Sequence, residues 1–269
     1  MQCYVTLYLS DKGWHLYMQH NMQHESIVFQ LATHYLPKIA LRLERLFTAI
    51  EQACSENHPI IHHYALKNII EIIKLVEEPE LKSRFIKELI RVEHALNKSK
   101  ASMSNSVYAS LFVQVQVLSH IPGRFGETIH QDPFLQALRL AQPTHSSDCE
   151  LDSPQLLLWL EHAAESRQLD LTTWLKDLRT LQDTVTIYLT LLRKTAEFET
   201  IELFNGFYQR SLPSQLSCQL ILLRMNTHCG LVPKMQMGHH GLSLRLCEAN
   251  SMREVQQTDT TVDLAICQL

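Results

Sequence analysis

The chain has 269 residues, of which 45% are hydrophobic and 19% are charged. This composition excludes a disordered or fibrous protein and allows one large domain or two unequal ones. Lys and Arg number 24 against 28 Asp and Glu, so the net charge of −4 provides no overall attraction for nucleic acid or anionic lipid. Any basic binding site must therefore be a local patch.

Residues 1–25 are predicted to be an N-terminal extension without stable structure, because they carry no periodic apolar face. Their apolar run ends at Asp11 and Lys12 and follows no basic region, so a signal peptide is not expected. No window of the sequence reaches the roughly 20 apolar residues that a membrane helix needs. The 7 cysteines are scattered without a C-x-x-C pair, which favours a reducing compartment. We therefore expect a cytoplasmic protein without membrane insertion.

Residues 33–198 are predicted to form a mainly α-helical domain, because Gly and Pro are rare and apolar residues recur at helical spacing. The apolar residues from Leu36 to Ile50 lie within one third of a helical circumference and predict the first helix. Further helices are predicted at His58–Glu77, Pro79–Lys98, Asn105–Ser119, Asp132–Leu140, Ser153–Ala164 and Leu171–Phe198.

After Phe198 the sequence changes to short runs of β-forming residues separated by glycine and proline. Strands are predicted at roughly Glu199–Tyr208, Gln215–Met225, Leu231–Met237, Leu242–Leu246 and Val262–Cys267. The strand-like segment Ser26–Leu31 is expected to pair with them. The predicted fold class is therefore α+β, an N-terminal α-helical bundle plus a C-terminal antiparallel, sandwich-like β domain. This β domain comprises residues 26–32 and 199–269, with part of 142–152 as a further candidate.

Catalytic signatures are absent from the sequence: it contains no G-x-S-x-G, no P-loop, no G-x-G-x-x-G and no H-E-x-x-H. The pairs His62-His63 and His239-His240 do not have the i, i+4 spacing that brings two imidazoles to one metal ion. We therefore predict no catalytic site, no cofactor and no metal site.

Basic residues form two rows on the predicted helices, each turned away from the apolar face. The first row consists of Lys38, Arg42 and Arg45. The second row consists of Arg84, Lys87, Arg91 and Lys98. Either row alone is consistent with an ordinary solvated surface. If the two helices pack side by side, the rows would merge into a positive groove for an acidic or phosphate-bearing partner.

Several segments resemble the bacterial family ZapD, and the resemblance covers about Ile27 to Leu269. In chain order they are Leu41-Arg42-Leu43-Glu44, Arg84 to Arg91, Pro154 to Leu160, Asn205-Gly206-Phe207-Tyr208-Gln209, Leu222-Leu223-Arg224 and Leu244-Arg245-Leu246. The N-G-F-Y-Q segment is the most specific of them. The chain departs from the family where R-Q-R is reduced to Arg139 alone, and where Leu157-Leu158 replaces a histidine that other members can carry.

The resemblance implies a non-enzymatic cell division factor that binds the C-terminal tail of the tubulin-like protein FtsZ. It further implies a symmetric homodimer that cross-links and bundles FtsZ filaments and so stabilises the Z-ring at mid-cell. A positively charged surface of the family is thought to take up the tail. The residues expected to bind it are Lys38, Arg42, Arg45, Arg84, Lys87, Arg91 and Arg139, with Arg224 and Arg245 as secondary candidates.

The alternative function is a nucleic-acid-binding regulator that uses the same basic helix faces. Such a protein would be retained on heparin and would lose binding steeply with salt. The net negative charge and the absence of an RRM, KH or zinc-finger signature count against it. We therefore predict a protein partner and no nucleic acid.

Overall fold

The structure is a computed structural model that describes residues 4–5, 26–99, 105–140, 153–212, 218–238, 241–256 and 259–268. The chain divides into two compact units. The helical unit comprises residues 39–190, and the strand unit comprises residues 1–38 and 191–269. Helices in the first part and antiparallel strands in the last confirm the predicted α+β fold class. The candidate segment 142–152 lies outside the described residues, as does most of the predicted extension.

Eight helices occur in the described parts of the chain. They are α1 (Tyr35–Ala53), α2 (Pro59–Val76), α3 (Leu81–Ser99), α4 (Asn105–His120), α5 (Pro133–Leu140), α6 (Pro154–Leu160), α7 (Ala164–Asp177) and α8 (Arg179–Lys194). Local sequence explains several of their starts. His58, for example, caps α2 by accepting a hydrogen bond from the backbone N–H of Ile60, and Pro59 occupies the first turn, where its missing N–H costs nothing.

The predicted single helix Leu171–Phe198 is wrong, because the structure has two helices there. Helix α7 ends at Asp177, and Leu178 takes φ −92° and ψ 1° before α8 begins at Arg179. Leu178 and Leu181 are both completely buried. Apolar periodicity therefore continues through the break, which is why the sequence pattern reads as one helix.

Aromatic side chains from three parts of the helical unit form the centre of its core. Phe85 of α3 meets Tyr188 of α8 edge to face, with ring centroids 5.8 Å apart. Phe125 approaches the same Phe85 ring at 6.3 Å, again edge to face. All three side chains are buried. Such aromatic pairs contribute about 0.5–1.5 kcal/mol beyond the burial of their surface.

The strands form two antiparallel sheets. In chain order they are β1 (Tyr4–Val5), β2 (Ser26–Ala32), β3 (Glu199–Leu203), β4 (Phe207–Arg210), β5 (Leu220–Asn226), β6 (Leu231–Gly238), β7 (Gly241–Glu248) and β8 (Thr260–Cys267). One sheet has the order β1-β2-β5-β8-β3 and the other β4-β7-β6. The pairing of β2 with β5 confirms that segment Ser26–Leu31 joins the C-terminal strands.

The inner faces of the two sheets share one hydrophobic core, which makes the strand unit a sandwich. Leu223 and Leu264 from the five-stranded sheet lie in the same buried cluster as Leu244 and Leu246 from the three-stranded sheet. Alternate residues of each strand point inward, as strands with one buried face require. The predicted sandwich-like arrangement is thereby confirmed.

The predicted strand Glu199–Tyr208 is wrong as a single element, because the chain turns at Asn205-Gly206 and enters the other sheet. Asn205 has φ +51° and Gly206 has φ +68°. Phe204 and Phe207 exchange both backbone hydrogen bonds across the turn, at 3.1 and 3.0 Å. Two consecutive positive φ values define the two-residue hairpin turn that Asn-Gly favours most strongly. The first half of the N-G-F-Y-Q segment is therefore a turn signal.

Two buried thiols should make the stability of the strand unit sensitive to alkaline pH. Burial raises the pKa of Cys218 and of Cys267 to about 11. An unfolded chain releases these protons near the ordinary value of 9.0, so between these values the folded state binds more protons than the unfolded state. The contribution of these two thiols to the free energy of unfolding should therefore be fully present below about pH 9 and should be lost as the pH rises towards about 11.

Urea unfolding at about pH 8 and about pH 10.5 measures this decline. The double variant C218A/C267A should lose less stability than the wild type between these two values. The exposed Cys229 provides the control, because Cys229→Ala should leave the decline unchanged. Equal declines in the wild type and the double variant would contradict the assignment.

Candidate functional site

Two of the predicted basic residues on helices contact carboxylates at the C-terminal half of α2 and the turn after it. Arg42 of α1 donates from Nε to Oε1 of Glu71 at 2.6 Å. Arg84 of α3 donates from Nη2 to Oε2 of Glu80 at 2.8 Å, and the same nitrogen lies 3.8 Å from Oε1 of Glu78. The side chains of Arg42 and Arg84 are 47% and 44% exposed. Both guanidinium groups are therefore accessible and already paired.

Arg139 of α5 also contacts the turn after α2. It donates from Nη2 to Oε1 of Glu77, the residue before the Glu78 that Arg84 approaches. Its Nε is buried without a hydrogen-bond partner in the described structure. The structure thus brings Arg84 and Arg139 to one turn, on adjacent glutamates.

The remaining predicted residues of the second row lie farther along α3. Arg91 donates from Nε and Nη2 to the two carboxylate oxygens of Glu88, at 2.9 and 2.6 Å. These hydrogen bonds raise the pKa of Arg91 above its ordinary value. Lys87 is exposed on the same helix, and the side chain of Lys98 lies outside the described residues. Arg91 and Arg42 therefore contact different carboxylates rather than a common one.

The first row is less exposed than the second. Lys38 and Arg45 lie on α1 on either side of Arg42, and the side chains of both are partly buried. Arg42 is the exposed member of this row and the one held by a carboxylate of the neighbouring helix. Because exposed ion pairs contribute only about 0–1 kcal/mol, the acidic partner of such an arginine is easily exchanged for another.

A second positive surface lies on the outer face of the three-stranded sheet, and we call it the sheet platform. It consists of Phe207 on β4, Arg245 on β7, Lys234 on β6, and Glu254 in the segment after β7. The guanidinium of Arg245 lies 4.7 Å above the ring of Phe207 and donates to Oε2 of Glu254 at 2.9 Å. Nζ of Lys234 lies 3.9 Å from Oε1 of the same Glu254. Two cations therefore share one carboxylate.

The N-G-F-Y-Q segment positions the sheet platform. Its turn places Phe207 directly opposite Arg245, and the carbonyl oxygen of Gly206 accepts a hydrogen bond from the N–H of Leu246 at 2.8 Å. The carbonyl of Leu246 in turn accepts from the N–H of Val255 at 2.9 Å, which holds the neighbouring Glu254 over the strand. Backbone contacts thus fix both the aromatic ring and the carboxylate.

Sequence reasoning missed Lys234, although a signal for its exposure was present. Pro233 and Met235 are buried on either side of the exposed Lys234, so the alternation of β6 turns the lysine outward. The register that places it beside Arg245 is a long-range property that the sequence pattern does not contain.

Arg224, the other secondary candidate, lies on the five-stranded sheet. Its guanidinium lies 3.9 Å above the ring of Phe198, and Nη1 is 3.9 Å from Oδ2 of Asp263 on the paired strand β8. Arg224 therefore has one carboxylate of its own, in contrast to Arg245 and Lys234, which share Glu254.

Of the two histidine pairs weighed as metal candidates, His239-His240 lies outside the described residues, and His62 of the other pair has a structural role. His62 is fully buried, its Nε2 lies 2.7 Å from the carbonyl oxygen of Glu56, and its Nδ1 accepts from Nε of Arg167 at 2.9 Å. Both ring nitrogens are thus occupied by the protein itself. In the described ranges, no three His, Cys, Asp or Glu side chains come together in a way that could hold a metal ion.

No helix within the described ranges is long and apolar enough to cross a membrane.

Comparison with known proteins identifies the family. The family model ZapD, described as a cell division protein, matches residues 41–245. A protein of Ralstonia pickettii (strain 12J) named cell division protein ZapD is 27% identical, with 84% of this chain and 93% of the relative covered. Proteins of the same name from Coxiella burnetii (strain RSA 331) and Azoarcus sp. (strain BH72) are 27% and 25% identical, covering 77% and 85% of this chain and 83% and 94% of the relatives.

Except for Leu246, the matched range contains all the segments on which the sequence resemblance was based. It also contains the arginines of α1, α3 and α5 and the sheet platform up to Arg245. The family inferred from the sequence is therefore confirmed, and the chain belongs to the ZapD family of cell division proteins.

Proposed function

We propose that this chain is a cell division factor that binds the C-terminal tail of FtsZ and, as a homodimer, cross-links FtsZ filaments into bundles that stabilise the Z-ring. The observation that carries the proposal is the family match over residues 41–245, which spans every proposed tail-binding residue except Lys38. The role requires no catalytic group, cofactor, metal or membrane insertion, and it places the protein in the cytoplasm at mid-cell.

An acidic tail would bind the helical arginines by exchanging one carboxylate for another. Arg42, Arg84 and Arg91 are each accessible and held by exposed or partly exposed glutamates of the same chain. A tail carboxylate that replaces Glu71 or Glu88 keeps the guanidinium paired, so little electrostatic free energy is lost. The proposal also includes Lys38, Arg45, Lys87 and Arg139, which lie on the same helices α1, α3 and α5.

Dimerisation gives this weak exchange its effect on filaments. One tail bound to one copy dissociates readily when each contact contributes only a fraction of a kcal/mol to about 1 kcal/mol. Two linked copies hold two tails, and the second contact then forms at a high effective concentration. We therefore expect bundling to require the dimer, whereas binding of an isolated tail peptide does not.

Charge reversal of two arginines tests the proposed tail site. Arg42→Glu and Arg91→Glu should each weaken tail binding by about 1–3 kcal/mol, because attraction to the acidic tail becomes repulsion, and the loss should shrink at high salt. Peptide titration and co-sedimentation with FtsZ polymers, with and without the tail, measure the effect.

Arg179→Glu is the matched control for these variants. Arg179 is exposed on α8 and pairs with Asp183, but it is not among the proposed tail-binding residues. It should therefore leave binding unchanged. If Arg42→Glu and Arg91→Glu both sediment like the wild type while Arg245→Glu does not, the tail binds the sheet platform instead of the helices.

The charge of the chain does not favour nucleic acid as the partner, because the net charge is −4. The ring of Phe207, which could otherwise stack on a base, is covered on one face by Arg245. Retention on heparin with a steep salt dependence would contradict this interpretation.

A further inference from the structure

The carboxylates that hold the helical arginines differ in how much water reaches them. The side chains of Glu71 and Glu80 are 36% and 68% exposed. The side chain of Glu88, which holds Arg91, is only 16% exposed. When an anion displaces Glu71 or Glu80, water solvates the released carboxylate, whereas a displaced Glu88 would remain mostly covered by protein.

Displacement of Glu88 therefore requires a second hydrogen-bond donor. Glu88 accepts from Nε and Nη2 of Arg91 at 2.9 and 2.6 Å, so an anion that takes this guanidinium removes two charge-assisted hydrogen bonds. A covered carboxylate that loses its donors is costly, because neither water nor the protein then compensates its charge. Exchange at Arg91 becomes favourable only if another donor lies within reach of Glu88.

Tyr188 of α8 carries an unused donor in this part of the helical unit. Its side chain is completely buried, and its hydroxyl has no hydrogen-bond partner among the described residues. Most buried hydroxyls in proteins are hydrogen-bonded, because an unpaired one has lost its water without compensation. The phenol therefore keeps a hydrogen bond in reserve that the free chain does not use.

The packing of α8 on α3 brings this phenol towards Glu88. The ring of Tyr188 meets that of Phe85 at 5.8 Å, and Glu88 follows Phe85 by three residues, so both lie on the same side of α3. The electrostatics agree with this placement. Burial raises the pKa of Tyr188, the negative charge of Glu88 raises it further, and the positive charge of Arg91 lowers it. Both members of the ion pair therefore lie close enough to act on the phenol.

We infer that Tyr188 is a positioning residue of the proposed tail site, whose hydroxyl donates to Glu88 when an acidic group of the FtsZ tail engages Arg91. Arg91 and Tyr188 are then alternative donors for one carboxylate. In the bound chain the phenol holds Glu88 away from the incoming carboxylate, which Glu88 would otherwise repel. The identity of the ligand rests on the proposed function, whereas the exchange of donors is tested without FtsZ.

A double-mutant cycle on stability tests the exchange in the absence of any ligand. In Arg91→Ala, Glu88 has lost the guanidinium and should already accept from Tyr188. Tyr188→Phe should therefore change the unfolding equilibrium constant by less than about twofold in the wild type and by about tenfold, towards unfolding, in Arg91→Ala. Urea unfolding of the four full-length chains measures the difference. Equal effects of Tyr188→Phe in the two backgrounds would overturn the inference.

Titration with an FtsZ tail peptide tests whether the ligand drives the same exchange. Tyr188→Phe should weaken binding by about three- to tenfold, because the displaced Glu88 then lacks its second donor. The loss should disappear in the Glu88→Ala background, in which no carboxylate has to be displaced. Tyr64→Phe is the matched control, since Tyr64 on α2 is 62% exposed and its variant should bind like the wild type. A phenol that acted only by packing the core would weaken binding equally with and without Glu88, which would contradict the inference.

The two experiments separate this role of Tyr188 from the proposed function. A wild type that binds no tail peptide would refute the proposed function alone, and the stability cycle would then decide whether Tyr188 and Arg91 share Glu88. Tail binding that is weakened by Arg91→Glu but unaffected by Tyr188→Phe would leave the proposed function standing and overturn the inference. Coupling in the stability cycle, together with a tail affinity that depends on Tyr188 only while Glu88 is present, would establish it.

Discussion

Replacing Arg167 by alanine is expected to lower the free energy of unfolding of the helical unit by about 3–5 kcal/mol, because its guanidinium donates to four acceptors. Arg167 is only 3% exposed. Besides His62, its guanidinium donates to the backbone carbonyls of Asn57 and Leu160, both at 2.9 Å, and to that of His162. The side chain thus ties the start of α2 to the segment between α6 and α7.

The expected cost comes from the groups that alanine would leave behind. Three part-buried carbonyl oxygens and one buried imidazole nitrogen would lose their donor, at about 1–3 kcal/mol for each group that water cannot reach. Lysine should restore only part of the stability, because a single ammonium cannot reach acceptors spread around a planar guanidinium.

Urea unfolding followed by tryptophan fluorescence measures this loss, since Trp159 and Trp174 are both buried in the helical unit. Arg179→Ala is the control. Its exposed ion pair with Asp183 should contribute less than about 0.5 kcal/mol. A loss below about 1 kcal/mol for Arg167→Ala would show that water replaces the guanidinium and that the network is not structural.

Gly206→Ala should lower the stability of the strand unit by about 2–4 kcal/mol, because two separate costs act at this position. The backbone there has φ +68°, which an L side chain adopts at a cost of about 1–2 kcal/mol. A Cβ atom would also lie 2.8 Å from the carbonyl oxygen of Val255, too close for any ordinary contact. Relief of this clash would push residues 254–255 away from β7.

Gly230 separates the two costs, since its φ of +67° is nearly identical and an added Cβ would meet nothing within 4 Å. Gly230→Ala should therefore lose only the backbone contribution of about 1–2 kcal/mol. Equal losses for the two variants, measured by urea unfolding, would show that the Val255 carbonyl moves freely and that the segment bearing Glu254 is not held against the strand.

The helices were predictable because their apolar residues repeat at a period that only a helix places on one side. The same rule failed at Leu178, where a buried leucine preserved the period while the backbone left the helix. The division of the predicted strand Glu199–Tyr208 was readable from Asn205-Gly206, since this dipeptide is the strongest short-range hairpin signal.

The candidate site was less predictable than the fold, because charge partners are set by tertiary structure. The basic rows could be found on helical spacing, but Glu71 meets Arg42 only when α1 packs against α2. Arg167 lies in the largely polar helix α7, and nothing in its local sequence separates it from an exposed arginine. Its burial follows from the acceptors that α2 and α6 bring around it.

The register of β6 makes this edge of the sheet unsuitable for pairing with a strand of another molecule. Among the described strands, β6 lies at one edge of the three-stranded sheet. The N–H of Ala249 donates to the carbonyl oxygen of Gly230 across the β6–β7 pair. In this register Pro233 belongs to the alternate residues whose backbone groups point away from β7. Pro233 has no N–H, so the middle of this open edge lacks a donor for an incoming strand, and the exposed charge of Lys234 adjoins it. Addition of a strand from another molecule is therefore disfavoured at the β6 edge, where a backbone donor is missing and a lysine is exposed.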